Sequence, residues 1–334
     1  MSVRRIAAIF AATLAVAVLS YTAYWFHVAG LLRKGLESWA EERRTHGWQV
    51  AWDGLERSGY PWHIRLRLDH PRVADGKGMA WAADGLTGNA DPFDWTRLRL
   101  EAPGRHHLEA PGLALDMTVA SAKAEVNLRR NGAVEDATLL VSALDAGDTL
   151  RMAGLAVAWD PLEVAQPDHQ TPTIRFSATG HGITLPPLPG MPLDRDIALA
   201  AVTGRVMGAL PDGSPLQAIR RWSADGGTVE LDHVALDWEP LGLEGDGTLA
   251  LDPAGQPLAA LSARVRGFAP LMDRLAEAGN MEHGAANAAK LVLSLMAKPD
   301  PKGRPAVPVP VSLQDGTLYL GPARVAALPP IRWE

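Results

Sequence analysis

The sequence predicts a mainly β protein: an N-terminal transmembrane helix, then an antiparallel β-sheet with a short helical insertion. Three observations carry this expectation. Residues 6–26 are continuously apolar apart from Thr13, Ser20 and Thr22. Beyond residue 48, apolar and polar side chains alternate in run after run, the period of a strand with one buried face. Asp-Gly pairs at Asp53, Asp75, Asp84, Asp212, Asp225, Asp246 and Asp315, with Asn131-Gly132, punctuate those runs as hairpin or loop turns would.

The apolar run comes first. At about 1.5 Å per residue it reaches about 31 Å, the thickness of a bilayer core. Tyr21, Tyr24 and Trp25 crowd its far end, where amphipathic rings favour the membrane interface. Arg4 and Arg5 precede it, which places the N-terminus in the cytoplasm and the bulk of the chain outside. Arg33, Lys34, Arg43 and Arg44 lie downstream, partly offset by Glu37, Glu41 and Glu42. A cleavable signal peptide is the rival reading. It would end in small residues, whereas Ser20-Tyr21-Thr22-Ala23-Tyr24-Trp25-Phe26 is bulky, so an uncleaved anchor is expected.

The chain therefore divides into an anchor over 1–28, a juxtamembrane helix over 29–47 and a β-rich periplasmic domain over 48–334. In the juxtamembrane helix Leu32, Leu36 and Trp39 recur at helical spacing, and Gly47 is its natural stop. Ile64, Leu66 and Leu68 then alternate with Arg65 and Arg67 in a half-buried strand. Between 228 and 268, Val229 and Leu231 share a face that Val234, Leu236 and Trp238 continue after a parity switch at His233, the mark of a bulge. Leu271 and Leu275 after Pro270, and the alanine-rich stretch 285–297, predict a helical insertion at about 269–298. Outside the anchor, helix is expected only there and in the juxtamembrane segment. The proline-rich stretch 299–310 reads as an extended connector.

Chemistry is sparse. An apolar share of 47% can bury a core, and a net charge of −6 excludes the basic footprint of a nucleic-acid binder. The absence of cysteine excludes disulfides and thiolate metal sites. No nucleophile elbow, P-loop or H-E-x-x-H occurs. Gly76-Lys77-Gly78, and Gly242, Gly245 and Gly247, read as turn glycines rather than dinucleotide loops. His106 and His107 are adjacent, so on a strand they face opposite ways; a metal could use one of them only with His70 or His169. No catalytic, cofactor-binding or metal residue is expected, and no enzymatic activity. Of the eleven tryptophans, Trp48, Trp52, Trp62, Trp81 and Trp95 either fill a thin core or line an apolar groove for lipid chains.

Short signals along the chain carry a resemblance. They are Tyr21-x-x-Tyr24-Trp25, Leu36-x-x-Trp39, Gly59-Tyr60-Pro61, Trp81 with Gly85-Leu86, and Trp238-x-Pro240-Leu241 through Gly245-x-Gly247 to Leu251-Asp252. Together they resemble a proteobacterial membrane-anchored family, domain-of-unknown-function family 2125, which offers no catalytic residue to carry over. Residues 245–268 and 313–330 are also similar to AsmA-like envelope proteins. That resemblance implies one N-terminal anchor, a curved, groove-forming antiparallel β-sheet with an apolar inner surface, a lipid ligand and envelope protein partners. The expected role is accordingly non-enzymatic, either binding or transferring lipid along the sheet or scaffolding an envelope complex at the inner membrane.

Overall fold

The computed structural model describes residues 3–110, 112–186, 193–211, 215–279, 281–300, 303–321, 323–327 and 330–331. Asp212, and the chain end at 334, lie outside them. The protein is mainly β, with a large antiparallel sheet that is not closed and, among the described residues, four helices.

Helix α1 (Val3–Thr45) runs unbroken through the expected anchor and juxtamembrane segments. Among the described residues it is the one helix long and apolar enough to cross a membrane. It stops where glycine permits. Gly47 takes φ 86°, its N–H donates to the Arg44 carbonyl, and the Trp48 N–H donates to that of Arg43. This paired closure needs a left-handed residue that any Cβ would strain.

By packing, the chain forms two compact units, Met1–Asp116 with Lys123–Val134, and Met117–Ala122 with Glu135–Glu334. The first contains α1, β1 (Gln49–Ala51), β2 (Gly54–Ser58), β3 (Ile64–Asp69), β4 (Arg72–Ala74), β5 (Ala80–Ala83), β6 (Gly85–Ala90), β7 (Arg97–Glu101) and β8 (Gly104–Ala110). Antiparallel ladders join β2, β3, β6 and β7 in that order, and β1, β4, β5 and β8 in that order. The 123–127 part of β9 (Leu113–Leu128) pairs with β7.

Consecutive strands such as β1 and β2 thus act as one long strand broken once, and the breaks align. The Asp53 N–H donates to the Asp69 carbonyl, that of His70 to Asp84, and that of Asp84 to Arg105. Here the expectation of turns fails: Asp53-Gly54 and Asp84-Gly85 mark this crease, not hairpin ends. Their carboxylates hold the break together. Asp53 accepts from Arg72 at 3.1 Å, and Asp84 from the Arg105 backbone at 3.0 Å and its guanidinium at 3.3 Å. The Arg105 backbone N–H, then its side chain, hold the Asp84 carboxyl below the ordinary carboxylate range.

The second unit contains β10 (Val134–Asp145), β11 (Arg151–Pro161), β12 (Pro172–Thr184), β13 (Asp196–Met207), α2 (Pro215–Ala224), β14 (Thr228–Trp238), β15 (Leu241–Leu251) and β16 (Pro257–Arg266). After them come α3 (Phe268–Glu277), α4 (His283–Met296), β17 (Lys298–Pro299), β18 (Pro305–Gln314), β19 (Thr317–Leu320) and β20 (Ala323–Ala327). From β10 to β16 each strand pairs antiparallel with the next, and β18, β19 and β20 continue the meander. Register shifts flank Asp232 and His233 on both sides of β14, the bulge that the parity switch predicts.

The structure corrects three expectations here. Helix α2 lies outside the predicted helical segments. It spans ten residues between turn pairs, too short for Ile219 and Trp222 to declare a period. Gly242, Gly245 and Gly247, with Asp246, lie inside β15 rather than in turns. The β16 backbone comes so close that a Cβ on Gly247 would sit 2.2 Å from the Ala260 carbonyl oxygen, and one on Gly245 2.5 Å from that of Ser262. Finally, the second half of the proline-rich stretch, residues 305–310, is strand β18, not a connector. The Pro310 carbonyl accepts from Gly321, away from β16, so the missing N–H groups of Pro308 and Pro310 also point away from that ladder.

Candidate functional site

In the second unit the registers sort side chains into two unlike faces. Phe176, Gly204, Leu231, Gly247 and Leu261 align across β12 to β16, and Val311 extends the row onto β18. Ala178, Val202, Val234, Gly245 and Ala263 form the neighbouring row. The opposite face carries Arg175, Arg205, Glu230 and Thr248 in the same alignment, with an ion pair of 2.6 Å between Arg205 and Asp232. Strict alternation, reset by the bulge in β14, is the cause.

The apolar face is covered unevenly. Ala263, Val265, Val307 and Val311 on β16 and β18 are buried. Phe176, Val202, Leu231, Val234 and Leu249 stay partly exposed, and Trp159 at the β11 end is 40% exposed. Glycines keep the surface low: the Phe176 ring lies where a Cβ on Gly204 would be, 2.9 Å away. The unit's helices lie at the ends of its strands. Trp222 of α2 is buried and donates its indole N–H to the Met207 carbonyl at 2.7 Å. At the other end α3 follows β16, buries Phe268, and ties Arg274 to Asp194 at 3.0 Å. On α4, Leu291, Val292, Leu295 and Met296 are exposed, the last two at 81% and 51%.

The first unit has a different surface. Its apolar face receives α1: Trp25, Val28 and Ala29 cluster with Ile64, all buried. Its polar face is an open groove of about 860 Å³. Arg65, Arg67, Arg97 and Arg99 line it with Glu56, Asp91, Asp94 and Glu101, so its charges balance.

The tryptophans follow neither expected role as a group. None of Trp48, Trp52, Trp62, Trp81 and Trp95 is buried. Arg43 lies over the Trp48 ring at 5.7 Å and Arg44 over Trp52 at 5.6 Å, while Trp62 is 81% exposed. Among the described residues the buried ones are Trp25 and Trp222, at elements whose contacts are distant in sequence.

The histidines are held separately. The Trp81 indole donates to His106 Nδ1 at 3.3 Å, which leaves the proton on Nε2 to meet the Ala102 carbonyl at 2.8 Å. His107 lies between Asp116 at 2.6 Å and Glu109 at 3.0 Å, and His70 pairs with Asp53 at 3.2 Å. Among the described residues no group of three His, Cys, Asp or Glu could hold a metal ion.

The model of a bacterial family described as "uncharacterized protein conserved in bacteria (DUF2125)" matches residues 25–329. The chain belongs to this family. The match begins at Trp25, the ring that α1 buries against the sheet, and takes in both units. No curated protein and no solved structure matches the chain.

Proposed function

We propose that this DUF2125 member is a non-enzymatic envelope protein, held in the inner membrane by α1 with its bulk in the periplasm, that binds lipid along the apolar face of its second unit. The observation that carries the reading is that face: aligned apolar rows cross β11 to β18 yet remain partly exposed from β11 to β15. Extended apolar surface left open to water is uncommon in monomers and marks a ligand or partner. An acyl chain lying across the strands would meet Phe176, Val202 and Leu231. The glycines give it room, and no charged side chain stands in those rows.

A second reading rests on α4, whose exposed Leu291, Val292, Leu295 and Met296 suit a protein contact and so a scaffolding role. Photo-crosslinking residues at Val202 and Leu231 of the full chain in its membrane, with controls at Arg205 and Glu230 on the opposite face, separate the two. Lipid adducts from the first pair alone support the proposal. Adducts only with protein favour the scaffold, and adducts from neither pair refute lipid binding on this face.

A further inference from the structure

The rings that the sequence places at the membrane interface are turned elsewhere. Trp25 is 2% exposed and buried against Ile64, with its indole N–H 3.3 Å from the His63 carbonyl. The Tyr21 hydroxyl donates to the Pro61 carbonyl, and that of Tyr24 to Pro92 at 2.8 Å. The Thr22 and Tyr60 hydroxyls lie 2.7 Å apart. Residues 21–25 of α1 thus fasten two loops, 59–63 between β2 and β3 and 91–96 between β6 and β7, to the place where the apolar run ends.

Those loops carry rings outward. Trp62 is 81% exposed and Phe93 73%. Phe93 is held upright by stacking on Tyr21 and Tyr24, at 5.8 and 5.7 Å between centroids. The helix immediately N-terminal to the clamp is bare: Ile9, Phe10, Leu14 and Leu19 are 55–70% exposed. At about 1.5 Å per residue, a bilayer around that stretch ends about level with the clamp.

We propose that the loop tips bearing Trp62 and Phe93 form a second membrane contact, seated in the interfacial layer of the bilayer that α1 crosses. The occupant is the phospholipid surface itself: the Phe93 ring continues the exposed surface of α1 by stacking on Tyr21 and Tyr24. Trp62, which also lines the charged groove, follows Pro61, whose carbonyl is bonded to Tyr21, so both tips are held at a fixed height. Indole and phenyl rings favour that layer. One helix alone leaves a domain free to tilt; two tips beside it fix the tilt of the first unit on the membrane.

The inference rests on reading α1 as a membrane anchor, and the test separates the two. Because the chain lacks cysteine, single nitroxide labels can be placed in the full chain in phospholipid nanodiscs through Leu14→Cys, Trp62→Cys, Phe93→Cys and Lys77→Cys. Lys77 lies in the β4–β5 turn, where Gly76 approaches the Gly47 carbonyl beyond the far end of α1. Labels at 14, 62 and 93 are expected to relax with bilayer-dissolved oxygen and be shielded from a water-soluble nickel chelate, with the reverse at 77. If either 62 or 93 behaves as 77 while 14 stays in the bilayer, the second contact is overturned and the anchor stands. If 14 also behaves as 77, both fall. The Trp62 ring makes no ring contact among the described residues, so its replacement leaves the clamp intact even where Phe93→Cys loosens it.

Discussion

Trp25 of α1 and Ile64 of β3 are buried against each other, 2% and 1% exposed, far apart in sequence. The indole also reaches the carbonyl of His63, the residue before Ile64. A helix written as a membrane span is thereby the covering layer of the first sheet. Trp25→Ala should destabilise the first unit by about 3–5 kcal/mol, the cost of emptying a large buried site. Trp25→Phe keeps most of the packing and loses the hydrogen bond, for about 1 kcal/mol beyond its smaller volume. Urea unfolding of the full chain in detergent micelles measures both. A double-mutant cycle with Ile64→Ala should show coupling of about 0.5–3 kcal/mol, and additivity would deny the contact.

The same packing bears on processing and orientation. Cleavage among residues 20–26 would remove Tyr21 or Trp25 from the sheet they cover, so the mature chain is expected to retain them. Intact-mass measurement checks this. Lys77→Cys should react with a membrane-impermeant thiol reagent in intact spheroplasts. Reaction only after lysis would place the bulk of the chain in the cytoplasm.

Local signals were legible in the sequence where a single period decides the structure. The parity switch at His233 became the β14 bulge, Gly47 closed α1, and the segment around 269–298 became α3 and α4. What stayed hidden depends on neighbours distant in the chain. Asp53-Gly54 and Asp315-Gly316 look alike, yet the first lies in an aligned crease and the second turns β18 into β19. Gly247 reads as a turn residue until the β16 backbone is beside it. The exposed tips at Trp62 and Phe93 could be found only once the tyrosines of α1 were seen to face the loops. For the apolar face, alternation predicted that Val229, Leu231, Val234 and Leu236 of β14 share it, but not that Phe176 and Val202 join them, nor that burial fades from β18 toward β11.

Gly247 supplies the third prediction. A Cβ there would sit 2.2 Å from the Ala260 carbonyl oxygen and 2.6 Å from the Leu261 Cα, both backbone atoms that cannot swing away. Gly247→Ala should therefore cost about 3 kcal/mol, the upper end of overpacking, by forcing β15 from β16. Gly284→Ala is the control, because nothing lies within 4 Å of its Cβ position and it sits in helix α4, where alanine is favoured. Hydrogen exchange should show faster exchange confined to β15 and β16 in the first variant and no loss of protection in the second.

The last prediction concerns pH. His107 Nε2 lies 3.0 Å from a Glu109 oxygen and Nδ1 2.6 Å from an Asp116 oxygen. Both nitrogens can donate only in the imidazolium form, so Glu109 first and Asp116 second raise the His107 pKa above its ordinary value. The folded pKa then lies above the unfolded one, and protonation favours the folded state. That contribution is fully present below the unfolded value of about 6.5 and is lost as pH rises through the higher folded value. His107→Gln should remove it, so the unfolding midpoints of the two proteins should differ at pH 6 and converge above the folded pKa. An NMR titration of the His107 ring checks the cause directly. A ring titrating at or below 6.5 would mean that the two carboxylates do not hold its charge in solution.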